Sequence, residues 1–165
     1  MTDQRRTLAV LYEQHVGRAT TLARLLTGDD HVAEDVAQEA FIRTAGRLTH
    51  LRQPDAFPAY LRRTVVNLCH ARFRRQRLEH DWLRRQDRRE PASHQPFDPD
   101  ERTVVWNAIE SLPWRQRAAI ILRYYEDLPH SEIAALLGCS FKATESLLSR
   151  AITALRDTMT QEDVR

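Results

Sequence analysis

Between Phe57 and Arg77 the chain carries six arginines and no acid. Within that stretch Tyr60, Arg63, Asn67, His70, Arg74 and Arg77 are separated by 3, 4, 3, 4 and 3 positions. On a helix of about 3.6 residues per turn this spacing lines a single face. Arginine neutralises phosphate, tyrosine stacks on unpaired bases and asparagine hydrogen-bonds base edges. The stripe therefore suits a nucleic acid, unpaired strands included. A solvated amphipathic face is the plainer alternative, but such faces ordinarily mix signs.

A second group lies in residues 129–150, PHSEIAALLGCSFKATESLLSR. Ile133-Ala134 is followed by Leu137-Gly138. Ala134 allows two helices to approach closely, and Gly138 supplies the left-handed backbone of a tight turn. Ser140 caps the second helix, whose buried side is carried by Leu148, Ala151 and Leu155. This predicts a helix-turn-helix, rather than an ordinary packed pair. In such a motif the second helix enters the major groove of DNA. Its outward residues are Phe141, Lys142, Glu145, Ser146, Ser149 and Arg150. Lys142 and Arg150 can reach phosphate or guanine, Ser146 and Ser149 can donate, and Glu145 can accept from the amino group of cytosine. So little positive charge predicts weak binding by this helix alone.

A third group is Asp35, Gln38, Glu39 and Ile42, spaced as neighbours on one helical face. An exposed isoleucine beside two acids and an amide fits the anchor and rim of a protein interface. By pattern alone it fits a solvated face at least as well. No nucleophile with its base, no glycine loop for phosphate and no zinc-spaced Cys/His cluster is legible, so neither an enzyme nor a metal or cofactor site is expected. Cys69 and Cys139 sit in apolar patterns and are expected to be buried thiols.

These residues need helices to position them. Glycine is scarce, no run alternates with a strand period, and the expected fold is all-α. The first helix spans about 7–26, with Leu8, Leu11, Tyr12, Val16, Ala19, Leu22, Ala23 and Leu26 inward. Gly28 ends it and Asp30 caps the next, about 31–48, whose buried face carries Val32, Val36, Ala40 and Thr44. The third starts near Phe57-Pro58 and runs to about Arg77, with an extension through Trp82 open. Leu61, Val65, Leu68 and Cys69 pack inward. Residues 87–100 hold three prolines and read as linker, closing on the start signal Asp98-Pro99-Asp100-Glu101. Further helices carry Val104 to Leu112, then Ala118, Ile121, Leu122 and Tyr125, then about 130–137 and 141–157. The expected organisation is a front helical bundle (1–77), a Pro-rich linker (78–100), a helix-turn-helix domain (101–158) and a tail (159–165). Net charge is only +2, but residues 1–77 hold 13 arginines against 8 acids, so the basic surface sits in front. With no apolar run of membrane length and no signal peptide, a cytoplasmic protein is expected.

Together the three groups resemble bacterial RNA polymerase sigma factors of the extracytoplasmic-function (ECF) class. AEDVAQEAFIRTAGRL (33–48), FPAYLRRTVVNLCHARFRR (57–75) and the stretch 109–156 carry the resemblance. It implies that Asp35, Gln38, Glu39 and Ile42 bind core RNA polymerase. It also implies that Arg52, in the loop His50–Asp55, joins Tyr60, Arg63, Asn67, His70, Arg74 and Arg77 in opening the -10 element and holding its single strand. Ser140, Lys142, Glu145, Ser146, Ser149 and Arg150 would read the double-stranded -35 element. An anti-sigma factor is implied as regulator. The chain departs from the pattern in places. His70 and Ala71 stand where an acid is common, Pro129 replaces a capping serine, and Glu145 and Leu147 replace basic residues. A free repressor using the helix-turn-helix, or a module that only titrates an inhibitor, are the competing readings.

Overall fold

In a computed structural model of the chain, which describes residues 2–48, 54–86 and 104–163, the described residues are helical apart from short turns. They divide into two compact units. The front unit contains α1 (Thr2–Thr27), α2 (Asp30–Gly46), a 3-10 turn (Pro54–Ala56) and α3 (Phe57–Gln86). The back unit contains α4 (Val104–Ser111), α5 (Trp114–Tyr124), α6 (His130–Leu137) and α7 (Phe141–Asp163). This is the all-α, two-unit architecture expected from the sequence. The start signal at 98–101 lies outside the described residues.

The front unit is a three-helix bundle. Leu22, Ala23 and Leu26 of α1, Ala33, Val36 and Ala40 of α2, and Phe57, Val65, Val66 and Cys69 of α3 are buried. Small residues on α2 let the backbones approach closely, and the large rings fill one end. Phe41 meets Phe57 at 5.6 Å and Tyr12 edge-on at 5.0 Å, while His15 tilts over Phe57 at 5.7 Å. Phe57 is fully buried. Truncating such a residue to alanine costs about 3–5 kcal/mol.

Boundaries differ from the sequence reading where capping chemistry was close to degenerate. Asp29, not Asp30, caps α2: its carboxylate accepts from the Val32 N–H at 3.0 Å. The helix begins at Asp30, so only the preceding side chain reaches that donor. Asp30 instead pairs with Arg24 at 2.6 Å. Gly28 ends α1 at φ 72°, with its N–H on the Arg24 carbonyl. Helix α3 continues past residue 77 to Gln86, and α7 past 157 to Asp163. Tyr125 lies beyond α5 and is partly exposed; it caps that helix through its backbone N–H instead of packing inside it. Val32 and Leu68 are half-buried.

In the back unit Trp114, Ala118, Ala119, Ile121 and Leu122 of α5 pack with Ile133 of α6 and Leu148 and Ala151 of α7. The half-buried Arg117 donates to the carbonyls of Glu110 and Leu112, which close the end of α4. Burial lowers the Arg117 pKa, and the charge of Glu110 partly opposes that. Both cysteines are free, Cys69 buried and Cys139 only half-buried, because Cys139 sits in the turn after α6 and not on a core face. No helix among the described residues is long and apolar enough to cross a membrane.

Candidate nucleic-acid interface

Helix α2 separates its residues sharply. Ala33, Val36, Ala37, Ala40, Phe41 and Thr44 face the core. Asp35, Gln38 and Ile42 are exposed and Glu39 is half-buried. Ile42 is 70% exposed, with charged residues around it. The Glu39 carboxylate is held by Arg43 at 2.6 Å. The four predicted residues thus share one open face, and one of its two acids is neutralised locally.

The arginine stripe of α3 is also exposed as predicted, at Tyr60, Arg63, Asn67, Arg74 and Arg77; His70 is half-buried. Arg52 lies outside the described residues. The structure adds a groove of about 330 Å³ between α2 and α3 that the stripe did not reveal. It is lined by Arg43, Thr44 and Arg47 from α2 and by Tyr60, Thr64, Asn67, Leu68 and Ala71 from α3. That volume is at the lower end of the roughly 300–1,000 Å³ of small-ligand sites. The hydroxyls of Thr44 and Thr64 meet at 3.5 Å, each also donating to the carbonyl four residues back. Two guanidinium groups, a tyrosine ring and an amide surround this recess, and no acid lines it. Such a set can hold a phosphate, stack a ring and bond a base edge.

Of the predicted stripe only Tyr60 and Asn67 line the groove. Arg63, His70, Arg74 and Arg77 are not among its lining residues. Arg43, Arg47, Thr44 and Thr64 were missed, because pairing the end of α2 with the start of α3 is a tertiary event. The absence of an acid at Ala71, a position noted in the sequence, was the available signal. Cys69 lies beneath this face but takes no part in it. Burial pushes its thiol up to about 12, with Arg72 opposing the shift, so it stays protonated.

In the back unit α6 and α7 form the expected helix-turn-helix. Gly138 adopts φ 63°, ψ 39°, the left-handed conformation that β-carbons disfavour. The Gly138 and Cys139 N–H groups both donate to the Ala134 carbonyl. Ser140 caps α7 by accepting from the Ala143 N–H at 3.0 Å. Thr144 is fully buried, its hydroxyl on the Ser140 carbonyl at 3.2 Å and beside the Cys139 sulfur at 3.4 Å. That anchors the first turn of α7. Arg115 of α5 donates to the Leu137 carbonyl at 2.8 Å, which ties α5 to the turn. With the inner side so held, Ser140, Phe141, Lys142, Glu145, Ser146, Ser149 and Arg150 are all exposed. Among them, the Phe141 ring packs against His130 at 5.5 Å.

Comparison with known proteins agrees with this arrangement. The family described as Sigma-70 region 2 matches residues 11–79, and that described as Sigma-70, region 4 matches residues 102–155. The ECF RNA polymerase sigma factor SigE of Mycolicibacterium smegmatis is 34% identical over 157 residues, covering 89% of this chain. The chain spans 59% of that relative's length. The RNA polymerase sigma-E factor of Streptomyces coelicolor is 30% identical over 142 residues, covering 86% of this chain and 80% of its own. Among solved structures, the sigma factor RpoE from Bartonella quintana, crystallised with the anti-sigma factor NepR, superposes with a TM-score of 0.70. It is 20% identical, with 97% of this chain and 98% of that one covered. CnrH, solved with the cytosolic domain of CnrY, gives 0.66 at 24% identity, covering 95% and 90%. At those identities the structures speak for the fold, whereas the sequence relatives carry the family. The chain belongs to the sigma-70 factors of bacterial RNA polymerase, within the ECF class.

Proposed function

We propose that this protein directs RNA polymerase to a specific set of promoters and opens them, with the work divided between its two units. The face of Asp35, Gln38, Glu39 and Ile42 binds core polymerase. Ile42 is the anchor, and the acids and amide form the polar rim. The stripe of α3, with Arg52, and the groove between α2 and α3 receive the -10 element. Opening a duplex costs a few kcal/mol for each base taken from the stack. Stacking an unpaired base on an aromatic ring returns about 1–3 kcal/mol. Tyr60 and Asn67 supply that ring and a base-edge partner, and Arg43 and Arg47 supply charge for the backbone. Helix α7 reads the -35 element in the major groove through Ser140, Lys142, Glu145, Ser146, Ser149 and Arg150. Residues 1–77 and 101–158 are the working domains, and 78–100 connect them. The chain supplies binding surfaces to the polymerase's chemistry and does not catalyse a reaction of its own. It acts in the cytoplasm, on promoter DNA. The sigma factor of like fold that was crystallised with the anti-sigma factor NepR supports control by a similar inhibitor.

The observation that carries this reading is the acid-free groove beside an exposed acidic face on the same two helices. A free repressor has no use for the exposed face of Asp35, Gln38 and Ile42. The test is transcription from a randomised promoter library by core polymerase with and without the purified chain. Initiation at a shared two-part motif is expected only with the chain. Failure to bind core, or initiation nowhere above background, would sink the proposal.

A further inference from the structure

The bundle accounts for only the first part of α3. The buried residues of that helix are Phe57, Leu61, Val65, Val66 and Cys69, and no described residue of α3 beyond Cys69 is buried. Yet the helix runs on to Gln86, while the match to Sigma-70 region 2 stops at residue 79. A helix end outside a core ordinarily shows polar side chains. This one shows Leu78 at 71% and Trp82 at 58% exposure, one turn apart. Large apolar side chains exposed together mark an interaction site. Leu83 is exposed as well, but it stands about 100° round the helix from Trp82.

The surroundings of that pair select its partner. Ala71, Arg74, Leu78, Trp82 and Arg85 follow Asn67 at steps of 4, 3, 4, 4 and 3. They therefore continue the face on which Tyr60 and Asn67 line the groove. Arg75 stands one turn before Leu78, beside this row. The row holds no acid. Glu79 and Asp81 flank it, against five arginines in residues 74–86. That excess, continuous with the arginine stripe, fits a polyanion. Length selects the form of the polyanion. Trp82 lies 22 residues beyond Tyr60, about 33 Å on a helix that rises 1.5 Å per residue. One turn of duplex is about 34–36 Å. A helix that follows the DNA axis thus meets the same side of the duplex again at Trp82, outside the bases opened at Tyr60. We infer that the end of α3 is a third promoter contact, one turn of duplex from the bases held at Tyr60. Arg75 and Arg85 hold phosphates there, and Leu78 and Trp82 pack into the groove beside them, as apolar wedges between cations do in minor-groove binders. The contact is separate from the -10 and -35 readers. It positions the duplex more than it reads sequence, and it rests on the proposed reading of α3.

The experiment uses core polymerase with the full chain, on a promoter selected from the randomised library. Trp82 is replaced by the photoreactive p-benzoylphenylalanine, and the crosslinked positions are mapped. Crosslinks are expected in duplex DNA about ten base pairs from the -10 bases, one helical turn away. Arg75→Ala combined with Arg85→Ala should lower the slope of log affinity against log salt by about two, at about 0.9 per phosphate contact. Trp82→Ala should weaken promoter binding about tenfold, about half of what full burial of a large apolar side chain supplies. Affinity for core and the base preferences at both elements should stay as in wild type. The three residues are exposed and alanine favours helix, so folding is not at stake, and unchanged far-ultraviolet circular dichroism will show it. Crosslinks confined to a polymerase subunit overturn the inference, because the face is then a protein contact. Wild-type salt slope and affinity in all the alanine variants overturn it too. With promoter opening intact, either result sinks the third contact alone. A wild-type holoenzyme that opens no promoter would instead refute the parent reading of α3, and the third contact with it.

Discussion

Replacing Tyr60 by alanine is the sharpest test of the groove. Tyr60 is 42% exposed and lines the groove with Asn67 and Thr64. If its ring stacks on an unpaired base, its removal forfeits about 1–3 kcal/mol. At about 1.4 kcal/mol for each factor of ten, the equilibrium for open complex falls about 5- to 150-fold. The ring is only part-buried, so stability should drop by about 1 kcal/mol, a fraction of the roughly 1.5–3 kcal/mol for a fully buried side chain. Tyr60→Phe keeps the ring and should stay close to wild type. Opening is read from the fluorescence of 2-aminopurine placed in the -10 element. Affinity for core is measured in parallel with labelled protein. On a template with the -10 bases already mismatched, Tyr60→Ala should still bind more weakly, because capture of the strand is what it lost. Wild-type opening by Tyr60→Ala would refute the reasoning, as would a loss in Tyr60→Phe as deep as in alanine. A defect confined to core binding would also refute it, by placing Tyr60 in the wrong interface.

Three further outcomes are expected. Ile42→Ala should weaken core binding about 5- to 30-fold, the 1–2 kcal/mol of a modest hot spot, with no change in melting temperature because the side chain is 70% exposed. Gly138→Ala should cost about 0.5–1 kcal/mol in denaturant unfolding. The left-handed strain is about 1–2 kcal/mol, the stiffer unfolded chain offsets about 0.4–1 kcal/mol, and no atom lies within 4 Å of the added β-carbon. A loss several times larger would mean that the turn is crowded. Cys69 should resist alkylation at pH 8 while the half-buried Cys139 reacts, as mass spectrometry of the labelled protein will show. Its folded-state pKa is raised from 9.0 to about 12, so its contribution to stability is complete below pH 9 and fades as pH rises from 9 to 12.

Local signals located most of the elements. The register of α2 could be read because alanines and valines recur on one side of Asp35, Gln38 and Ile42. The turn at Gly138 could be read because a left-handed residue after an apolar pair leaves few alternatives to glycine. The cap of α2 was read one residue late, since Asp29 and Asp30 are chemically alike and only the backbone path decides which carboxylate reaches the Val32 N–H. Tyr125 was placed inside α5 by periodicity, which does not register that the helix stops one residue earlier.

Helical periodicity determined which residues share a face: the Tyr60 to Arg77 stripe, the Asp35 to Ile42 patch and the outward side of α7. Faces follow from the rise and turn of one helix, and those are local properties of the chain. The meeting of faces from different helices was decided only by the tertiary structure. Arg43 and Arg47 join Tyr60 and Asn67 because α2 packs on α3, with the Thr44 and Thr64 hydroxyls meeting between them, bringing together side chains that sequence order keeps apart.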